Sequence, residues 1–296
     1  MIIQPLILIA SHKPVDFYQN NFMQGIMLGK ALKQNHNNCY PFADDTGDNI
    51  SLKNNQYCEL TAIYWAWNNL DDSYSHIGLF HYRRFLSFNK FTIFTKYILF
   101  LKPLFPFLYN YNISKVSALL SKYDVILPEK INLQFLHKSK TPVTMANNLY
   151  LHDDKQDSIK SLILEVIKEH APKYEEAFIE SLTLTDIYFK NMFVMRKDLF
   201  NEYSQFLFTV LFNLEEKLVA RKHINQNRIY GFLAERLINT FLVHHKHLNS
   251  NIRIKSMATI RPLEITFSKA YLKKQYRKLR SRLNITYIKL VLKKLF

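Results

Sequence analysis

The segment HIGLFHYRRF, residues 76–85, runs from an apolar stretch directly into a histidine, a tyrosine and two arginines. Its apolar part, Ile77–Phe80, predicts a buried strand. Guanidinium groups are costly to remove from water, so a chain needs a reason to place two of them at the end of a core strand. Arg83 and Arg84 therefore mark either the exit of the strand into water or a binding site for an anion.

A second apolar run, PLILIA at residues 5–10, leads into the polar sequence SHKP in the same way. Further strands are predicted at 124–128 and 191–196, and helices at 57–67, 114–124, 158–170, 198–219 and 230–247. This alternation predicts an α/β domain with a mostly parallel central sheet. In such sheets ligands bind at the carboxyl ends of the strands, where both SHKP and HYRR are expected, and this favours the anion site.

The composition fits one large domain, or one domain with an appendage. The chain has 296 residues, of which 48% are hydrophobic and 15% aromatic, so it can bury a sizeable core. Its 2 cysteines lack any metal-binding spacing, which suits a reducing cytoplasm. The N-terminal sequence has neither the basic region nor the cleavage site of a signal peptide, and we expect it to form the first core strand.

The most apolar segment, residues 91–109, is interrupted by two lysines and two prolines. A membrane-spanning helix needs about 20 uninterrupted apolar residues. We therefore expect this segment to form a buried hairpin or an interfacial loop.

The net charge of +16 is concentrated at the C-terminal end. Residues 253–296 hold 13 Lys and Arg against one acid, whereas residues 1–252 hold 27 against 23. From Leu272 to Leu290 apolar residues recur in steps of three and four between basic ones, which predicts an amphipathic helix. Such a helix suits the surface of an anionic membrane, and packing on the chain's own body or on a second copy is the alternative. We expect a domain at 1–252 followed by a basic helical tail at 253–296.

The acidic turn, residues 43–51, has the sequence ADDTGDNIS. Its carboxylates Asp44, Asp45 and Asp48 have the oxygen ligands that Mg²⁺ or Mn²⁺ prefers. The same residues could bind ribose hydroxyls, or cap a helix that begins near Ser51. The sequence leaves these three interpretations open.

Six segments follow one another along the chain: DDTGDNIS, KNNQYCELTAIYWAWNN, IGLFHYRRF, DVILP, NMFVMRKDLF and GFLAERLIN. In this order and spacing they resemble a bacterial family catalogued as a domain of unknown function in glycosyltransferases of capsular polysaccharide and lipopolysaccharide synthesis. The resemblance spans about residues 5–245. It implies a GT-A-like fold and the transfer of a sugar from a nucleotide-sugar donor, with a UDP-hexose as the first candidate.

At the strand end where many GT-A enzymes place a metal-binding Asp-x-Asp, this sequence has His81, Tyr82, Arg83 and Arg84. Guanidinium groups forked onto phosphate oxygens can neutralise a diphosphate leaving group as a metal would. We therefore expect metal-independent catalysis by Arg83 or Arg84 with His81, and contact of Tyr82 with the donor. Only one arginine is expected to act, because adjacent strand residues point to opposite faces. A salt bridge to the acidic turn is the alternative.

The resemblance also implies where the nucleotide binds. GT-A folds meet the nucleotide just after the first strand, which here means Ser11, His12 and Lys13. The acidic turn would add Asp48 and Asn49 to the same donor pocket. A solvated loop is the alternative for His12 and Lys13.

Glu235 in GFLAERLIN matches an acidic motif that lies near the acceptor in many GT-A transferases. An inverting transferase needs one carboxylate to take the proton of the attacking hydroxyl, and we assign that role to Glu235. An ion pair with Arg228 or Arg236 is the alternative. Asn191 and Arg236 are expected to contact the acceptor sugar, although Asn191 could equally cap a strand.

Two other polar features receive no catalytic role. Glu59 lies off the apolar stripe of its helix and is interpreted as a surface charge or as a partner for an arginine. His244, His245 and His247 have no carboxylate or cysteine at ligand spacing, so they are interpreted as a solvated helix end.

The expected partners are a nucleotide-sugar donor, a glycan or glycolipid acceptor and the anionic inner face of the plasma membrane, with the protein peripheral on its cytoplasmic side. Nucleic acid is not expected, because no helix-turn-helix, zinc or RNA-binding signature is found and the body is nearly neutral. A sugar-phosphate transferase of surface-polymer assembly and a non-catalytic scaffold are the alternative functions. The oligomeric state stays open.

Overall fold

A seven-stranded sheet forms the centre of the part of the chain that the structure describes. The computed structural model describes residues 3–33, 39–88, 111–150, 159–220, 227–248 and 250–260. Its strands are β1 (Pro5–Ser11), β2 (Met23–Met27), β3 (Phe42–Ala43), β4 (His76–His81), β5 (Phe85–Leu86), β6 (Val125–Pro128), β7 (Ile131–Asn132), β8 (Asp186–Ile187), β9 (Phe193–Arg196), β10 (Ile254–Met257) and β11 (Thr259–Ile260). The central sheet has the order β10-β6-β9-β4-β1-β2-β3. Two small antiparallel sheets pair β5 with β11 and β7 with β8.

Helices pack on both faces of the sheet. In the described ranges the α-helices are α1 (Asn54–Tyr57), α2 (Leu60–Asn69), α3 (Ile113–Leu120), α4 (Leu133–His137), α5 (Met145–Tyr150), α6 (Ile159–His170), α7 (Glu175–Ser181), α8 (Lys197–Ala220) and α9 (Ile229–His247). The largest core cluster contains the apolar faces of α2, α8 and α9 together with one face of the sheet. None of the helices within these ranges is long and apolar enough to cross a membrane.

Strand β1 is buried along its whole length, which is why its sequence is an unbroken apolar run. Leu6 and Leu8 belong to the core cluster beneath α2, α8 and α9, while Ile7 and Ile9 belong to the cluster on the opposite face. Side chains of a strand alternate between faces, so a strand covered on both sides must be apolar at every position.

The predicted α/β fold with a mostly parallel central sheet is confirmed. All neighbouring strands of the central sheet pair in parallel except β9, which is antiparallel to β4 and β6. The chain moves outward from β1 through β2 to β3 and then returns to place β4 on the other side of β1. A sheet whose strand order reverses in this way leaves a crevice at the carboxyl ends of the two strands beside the reversal.

The sequence HYRR forms a tight turn, and not the strand extension that the sequence suggested. The backbone N–H of His81 donates to the carbonyl of Arg84 at 3.1 Å, and the N–H of Arg84 donates to the carbonyl of His81 at 2.8 Å. Tyr82 and Arg83 therefore occupy the two tip positions of the turn, which connects β4 to β5. The arginines are separated by this turn rather than by the alternation of a strand.

The boundary expected at residue 253 lies inside the sheet. Strand β10 pairs in parallel with β6, and β11 pairs with β5, so the first domain continues to at least residue 260. The remainder of the expected basic tail, 261–296, lies outside the described residues, as does the apolar segment 91–109. The amphipathic tail helix and the hairpin or interfacial loop stay predictions.

The carboxylate of Asp44 is fully buried and accepts four hydrogen bonds. Its oxygens accept hydrogen bonds from the backbone N–H of Gly29 at 2.8 Å and of Lys30 at 3.1 Å. They also accept from the hydroxyls of Ser51 and Thr61, both at 2.6 Å. One carboxylate thereby fixes the loop after β2 to the segment before α1 and to α2.

We expect Asp44→Asn to destabilise the fold by on the order of 2–4 kcal/mol, because the amide removes the charge and turns one acceptor into a donor that faces other donors. Urea unfolding of the purified variant measures this free energy. Asp48→Asn is the matched control: Asp48 is exposed, and we expect a change below about 0.5 kcal/mol. Equal stability of the two variants would contradict the structural role of Asp44.

Candidate functional site

A cavity of about 650 Å³ lies at the carboxyl ends of β1 and β4. Its walls come from these strand ends, the loop after β2, the α1–α2 junction and the residue that precedes α9. The lining residues are Ala10, His12, Leu28, Gly29, Leu32, Lys33, Asn54, Asn55, Cys58, Glu59, His81, Tyr82, Arg83 and Arg228. The cavity therefore occupies the crevice that the reversal of strand order creates.

The cavity is basic. Among the described residues that line it, Lys33, Arg83 and Arg228 are cations and Glu59 is the carboxylate. The ammonium of Lys33 donates to the carbonyl oxygens of His12 and, at 3.1 Å, of Leu28, so its position is fixed between the ends of β1 and β2. Burial lowers the pKa of Lys33 from 10.5. This surplus of positive charge favours an anionic ligand.

The ring of Tyr82, which lines the cavity, is contacted by the side chains of Arg83, Lys13 and His12. The guanidinium carbon of Arg83 lies 4.9 Å from the centre of its ring, and Lys13 Nζ lies 5.6 Å away. The imidazole of His12 meets the same ring edge-on at 5.5 Å. Burial, with the charges of Lys33, Lys13 and Arg83, lowers the pKa of His12 below 6.5, so its ring is neutral at pH 7. Cation–π contacts of this kind hold basic side chains in place.

Behind the basic cavity, Asn191 fixes the carboxylate of Glu59. The amide nitrogen of Asn191 donates to Glu59 Oε1 and to the carbonyl of Gly231, both at 2.8 Å. Lys190 and Asn191 both have left-handed backbone conformations, with φ of 87° and 47°. Such conformations are uncommon for residues other than glycine and cluster at functional sites.

The backbone of Lys190 connects His81 to Glu235. His81 Nε2 lies 2.8 Å from the carbonyl of Lys190, and the N–H of Lys190 donates to the Glu235 carboxylate. Burial lowers the pKa of His81, and the charge of Arg84 acts in the same direction. Burial, reinforced by the nearby charge of Glu59, raises the pKa of Glu235 to about 7, although the cations Arg236 and Arg84 oppose it. Glu235 therefore keeps its proton to a higher pH than an ordinary glutamate does.

Arg236 lies in the core and does not line the cavity, being only 2% exposed. It donates to Asn148 Oδ1 at 2.9 Å and forms an ion pair with Glu235 at 3.3 Å. Its guanidinium also stacks over Phe189 at 4.7 Å. The ion pair between Glu235 and Arg236, which the sequence offered as an alternative, is present.

The structure brings some predicted site residues together and separates others. His12, His81, Tyr82 and Arg83 line the cavity, and Lys13 lies beside it. Ser11 is buried, and its hydroxyl donates to the carbonyl of Lys13 at 2.6 Å, so it shapes the loop. The remaining predicted residues of the site do not line the cavity: Arg84, Asp44, Asp45, Asp48, Asn49, Asn191, Glu235 and Arg236.

The acidic turn does not fit a metal. Both oxygens of Asp44 already accept hydrogen bonds from the fold, and Asp48 lies near the Tyr64 hydroxyl at 3.3 Å. The side chain of Asn49 accepts from the N–H of Ser51 at 3.2 Å, but the 3₁₀ helix that begins at Ser51 has no side-chain cap. The described residues contain no group of three or more His, Cys, Asp or Glu placed to hold a metal ion.

Sequence reasoning missed Lys33, Cys58 and Arg228, and it left Glu59 without a catalytic role. Lys33 and Arg228 lie in loops, where no periodicity marks them. Glu59 did carry a signal, since it is a carboxylate within an otherwise apolar helical segment. Burial raises the pKa of the Cys58 thiol to about 11, so it stays protonated in the cavity wall.

The interpretation of the histidine cluster as a solvated helix end is wrong for two of its members. His244 and His245 are buried near the end of α9. His244 packs on Tyr174 with ring centres 4.3 Å apart, and His245 packs on Phe241 at 4.6 Å. Aromatic packing offsets the cost of burying these rings.

Comparisons with known proteins identify a family and a shared fold. A family model described as a domain of unknown function, DUF4422, matches residues 6–247. The apo structure of the bifunctional glycosyltransferase WbbM has the same fold, with a TM-score of 0.76 and 28% sequence identity. That match covers 88% of this chain and 45% of the WbbM chain, so the matched part of this chain spans less than half the length of that protein. No curated protein matches the sequence.

The raised pKa of Glu235 predicts a pH-dependent effect of Glu235→Gln on stability. The folded state holds this proton up to about pH 7, whereas the unfolded chain releases it near pH 4.5. The free energy of unfolding of the parent therefore falls as the pH rises between these two values. Glutamine cannot lose a proton. We measure the free energy of unfolding of the variant minus that of the parent. We expect this difference to be larger at pH 8 than at pH 5, by up to about 3 kcal/mol.

Urea unfolding of parent and variant at pH 5, 6, 7 and 8 measures this difference. Glu216→Gln, at an exposed position of α8, serves as the control and should show no such trend. A stability difference for Glu235→Gln that is the same at every pH would contradict the raised pKa.

Proposed function

Because the chain belongs to the DUF4422 family, whose function is unknown, we propose its activity from its cavity: it is a glycosyltransferase that moves a sugar from a nucleotide-sugar donor to a glycan acceptor. The observation that carries the proposal is the basic cavity at the carboxyl ends of β1 and β4, on a fold shared with the glycosyltransferase WbbM.

In this proposal the diphosphate of the donor binds between Lys33, Arg83 and Arg228. Guanidinium groups bind phosphate oxygens in pairs, and two arginines and a lysine match the charge of a diphosphate. A UDP-hexose is the donor to test first. The cations neutralise the leaving group in place of a metal, since the carboxylates of the acidic turn are committed to the fold or lie outside the cavity.

The proposed reaction forms one bond and breaks another at the anomeric carbon. The acceptor oxygen attacks that carbon, the bond to the diphosphate breaks, and the nucleoside diphosphate leaves with the bonding electron pair. The proton of the acceptor hydroxyl goes to a carboxylate. We move this role from Glu235 to Glu59, because Glu59 lines the cavity and Glu235 lies behind it.

The other expected site residues receive supporting roles. Asn191 positions Glu59 through its 2.8 Å hydrogen bond, and Arg236 stabilises Glu235 through the buried ion pair. The acceptor is proposed to be a lipid-linked glycan of capsule or lipopolysaccharide synthesis at the cytoplasmic face of the plasma membrane. The basic tail, most of which lies outside the described residues, is proposed to bind that membrane.

We expect the protein to bind UDP, GDP or CDP without added metal, and Arg83→Gln or Arg228→Gln to weaken binding about 10- to 100-fold, since each removes a charge-assisted contact. Isothermal titration calorimetry with each nucleotide, with and without Mn²⁺, measures this. Lys122→Gln, at an exposed position outside the cavity, is the control and should bind as the parent does. Failure of the well-folded parent to bind any of the three nucleotides would contradict the proposal.

We expect Glu59→Gln to lower turnover by about 10²- to 10⁴-fold with little change in nucleotide affinity, as the loss of a general base does. Glu235→Gln should lower it less, because that carboxyl does not reach the cavity. A coupled assay for released nucleoside diphosphate measures both variants.

Unchanged turnover in Glu59→Gln together with a large loss in Glu235→Gln would return the base role to Glu235. Release of a nucleoside monophosphate by the parent would instead identify a sugar-phosphate transferase.

A further inference from the structure

Helix α4 presents apolar side chains to water. Phe135 is 84% exposed and its neighbour Leu136 is 45% exposed. Single exposed apolar side chains are common on protein surfaces, but two adjacent ones at the tip of a short helix form a contiguous patch. We call Phe135, Leu136 and the exposed residues after them, up to Lys140, the α4 tip.

The exposure of the α4 tip is fixed by the structure around it. Leu133 is fully buried in a small core with Met145 and Ile187, and its N–H donates to the carbonyl of Thr185 at 2.8 Å. The side chain of Asn132 caps the helix by accepting from the N–H of Phe135 at 3.3 Å. The helix is therefore tied at its inner face while Phe135 points away from any described core.

The end of the helix is closed in an equally defined way. Lys138 adopts a left-handed conformation as its C-cap, and the N–H of Ser139 donates to the carbonyl of Gln134 at 3.1 Å. His137 Nε2 lies 2.8 Å from the amide nitrogen of Asn148. Turning the whole helix until Phe135 faced inward would break this cap, so the exposure of Phe135 is a property of the fold.

The charges around the α4 tip favour an anionic partner. From Lys130 to Tyr150 the sequence has three lysines and no aspartate or glutamate. Lys138 and Lys140 are exposed and form no ion pair with a described carboxylate. The carboxylate of Asp186 accepts a hydrogen bond from the side chain of Asn132 at 3.2 Å.

Another exposed apolar residue shows the contrast. Ile179 on α7 is 48% exposed, and the same helix carries Glu175, Glu176 and Glu180. An anionic surface would repel that helix. The combination of fixed apolar exposure and surrounding positive charge therefore distinguishes the α4 tip from Ile179.

We propose that the α4 tip inserts into the surface of an anionic lipid bilayer, with Phe135 and Leu136 among the upper acyl chains and Lys138 and Lys140 at the phosphates. This contact does not depend on the basic tail. Helix α4 follows β7, which comes directly after the carboxyl end of β6, so it belongs to the same edge of the sheet as the cavity. Delivery of a lipid-linked acceptor to that edge rests on the proposed function, whereas the bilayer contact does not.

Tryptophan fluorescence of the full chain tests the contact at the residue concerned. Phe135→Trp is compared with Ile179→Trp, and the signal of the parent, which has two tryptophans, is subtracted from both. Vesicles of phosphatidylglycerol and phosphatidylcholine are added, with and without brominated acyl chains. We expect a blue shift and bromine quenching at position 135 and neither at position 179.

A binding measurement complements the fluorescence. In vesicle sedimentation we expect Phe135→Ser with Leu136→Ser to bind at least tenfold more weakly than the parent, and Phe135→Leu to bind as the parent does. Replacing both Lys138 and Lys140 by glutamine should weaken binding to phosphatidylglycerol but not to phosphatidylcholine. Each substituted position is exposed, so thermal melting should be unchanged.

Three results would overturn the proposal. In the first, the full chain ignores anionic vesicles at low salt. In the second, the chain binds them while position 135 shows neither blue shift nor quenching, which would assign the contact to another segment such as the tail. In the third, position 135 shows the same blue shift without lipid, together with self-association in analytical ultracentrifugation, which would assign the α4 tip to a second copy of the chain. None of these results bears on nucleotide binding in the cavity.

Discussion

The buried carboxylate of Asp44 is the interaction on which the geometry of the cavity depends. Its four hydrogen bonds join the loop after β2 to α2 and to the segment before α1. That loop carries Lys33 into the cavity wall, and the α1–α2 junction carries Glu59. A carboxylate that never touches the cavity thus sets the distance between a cation and the proposed base, because a fully bonded buried charge tolerates little displacement.

The turn that ends β4 places the charges of Arg83 and Arg84 in different surroundings. Arg83 at the tip of the turn faces the cavity with Lys33 and Arg228, which gives the ligand side its positive charge. Arg84, one residue later, lies where its charge acts on His81 and Glu235, so it balances the carboxylates behind the cavity. The two adjacent arginines therefore have different surroundings: Arg83 lines the cavity, and Arg84 acts on groups behind it.

The parts of the fold that could be predicted are those with a periodic signal. Burial of β1 on both faces made PLILIA an unbroken apolar run, and the rule that ligands bind at the carboxyl ends of parallel strands identified His12, His81 and Arg83. The turn at HYRR was missed because none of its four residues is glycine, proline or asparagine, the usual turn signals.

Cavity residues that come from distant segments have no local sequence pattern by which they could be predicted. Lys33 and Arg228 reach the cavity from loops almost 200 residues apart in the chain, and only the folded sheet brings them together. Clustered aspartates in a sequence also cannot distinguish metal ligands from hydrogen-bond acceptors, which is why the role of Asp44 stayed open. The most direct test of the account is an experimental structure with UDP bound. We predict phosphate oxygens within about 3 Å of Arg83, Arg228 and Lys33; a diphosphate bound elsewhere, with this cavity empty, would contradict the account.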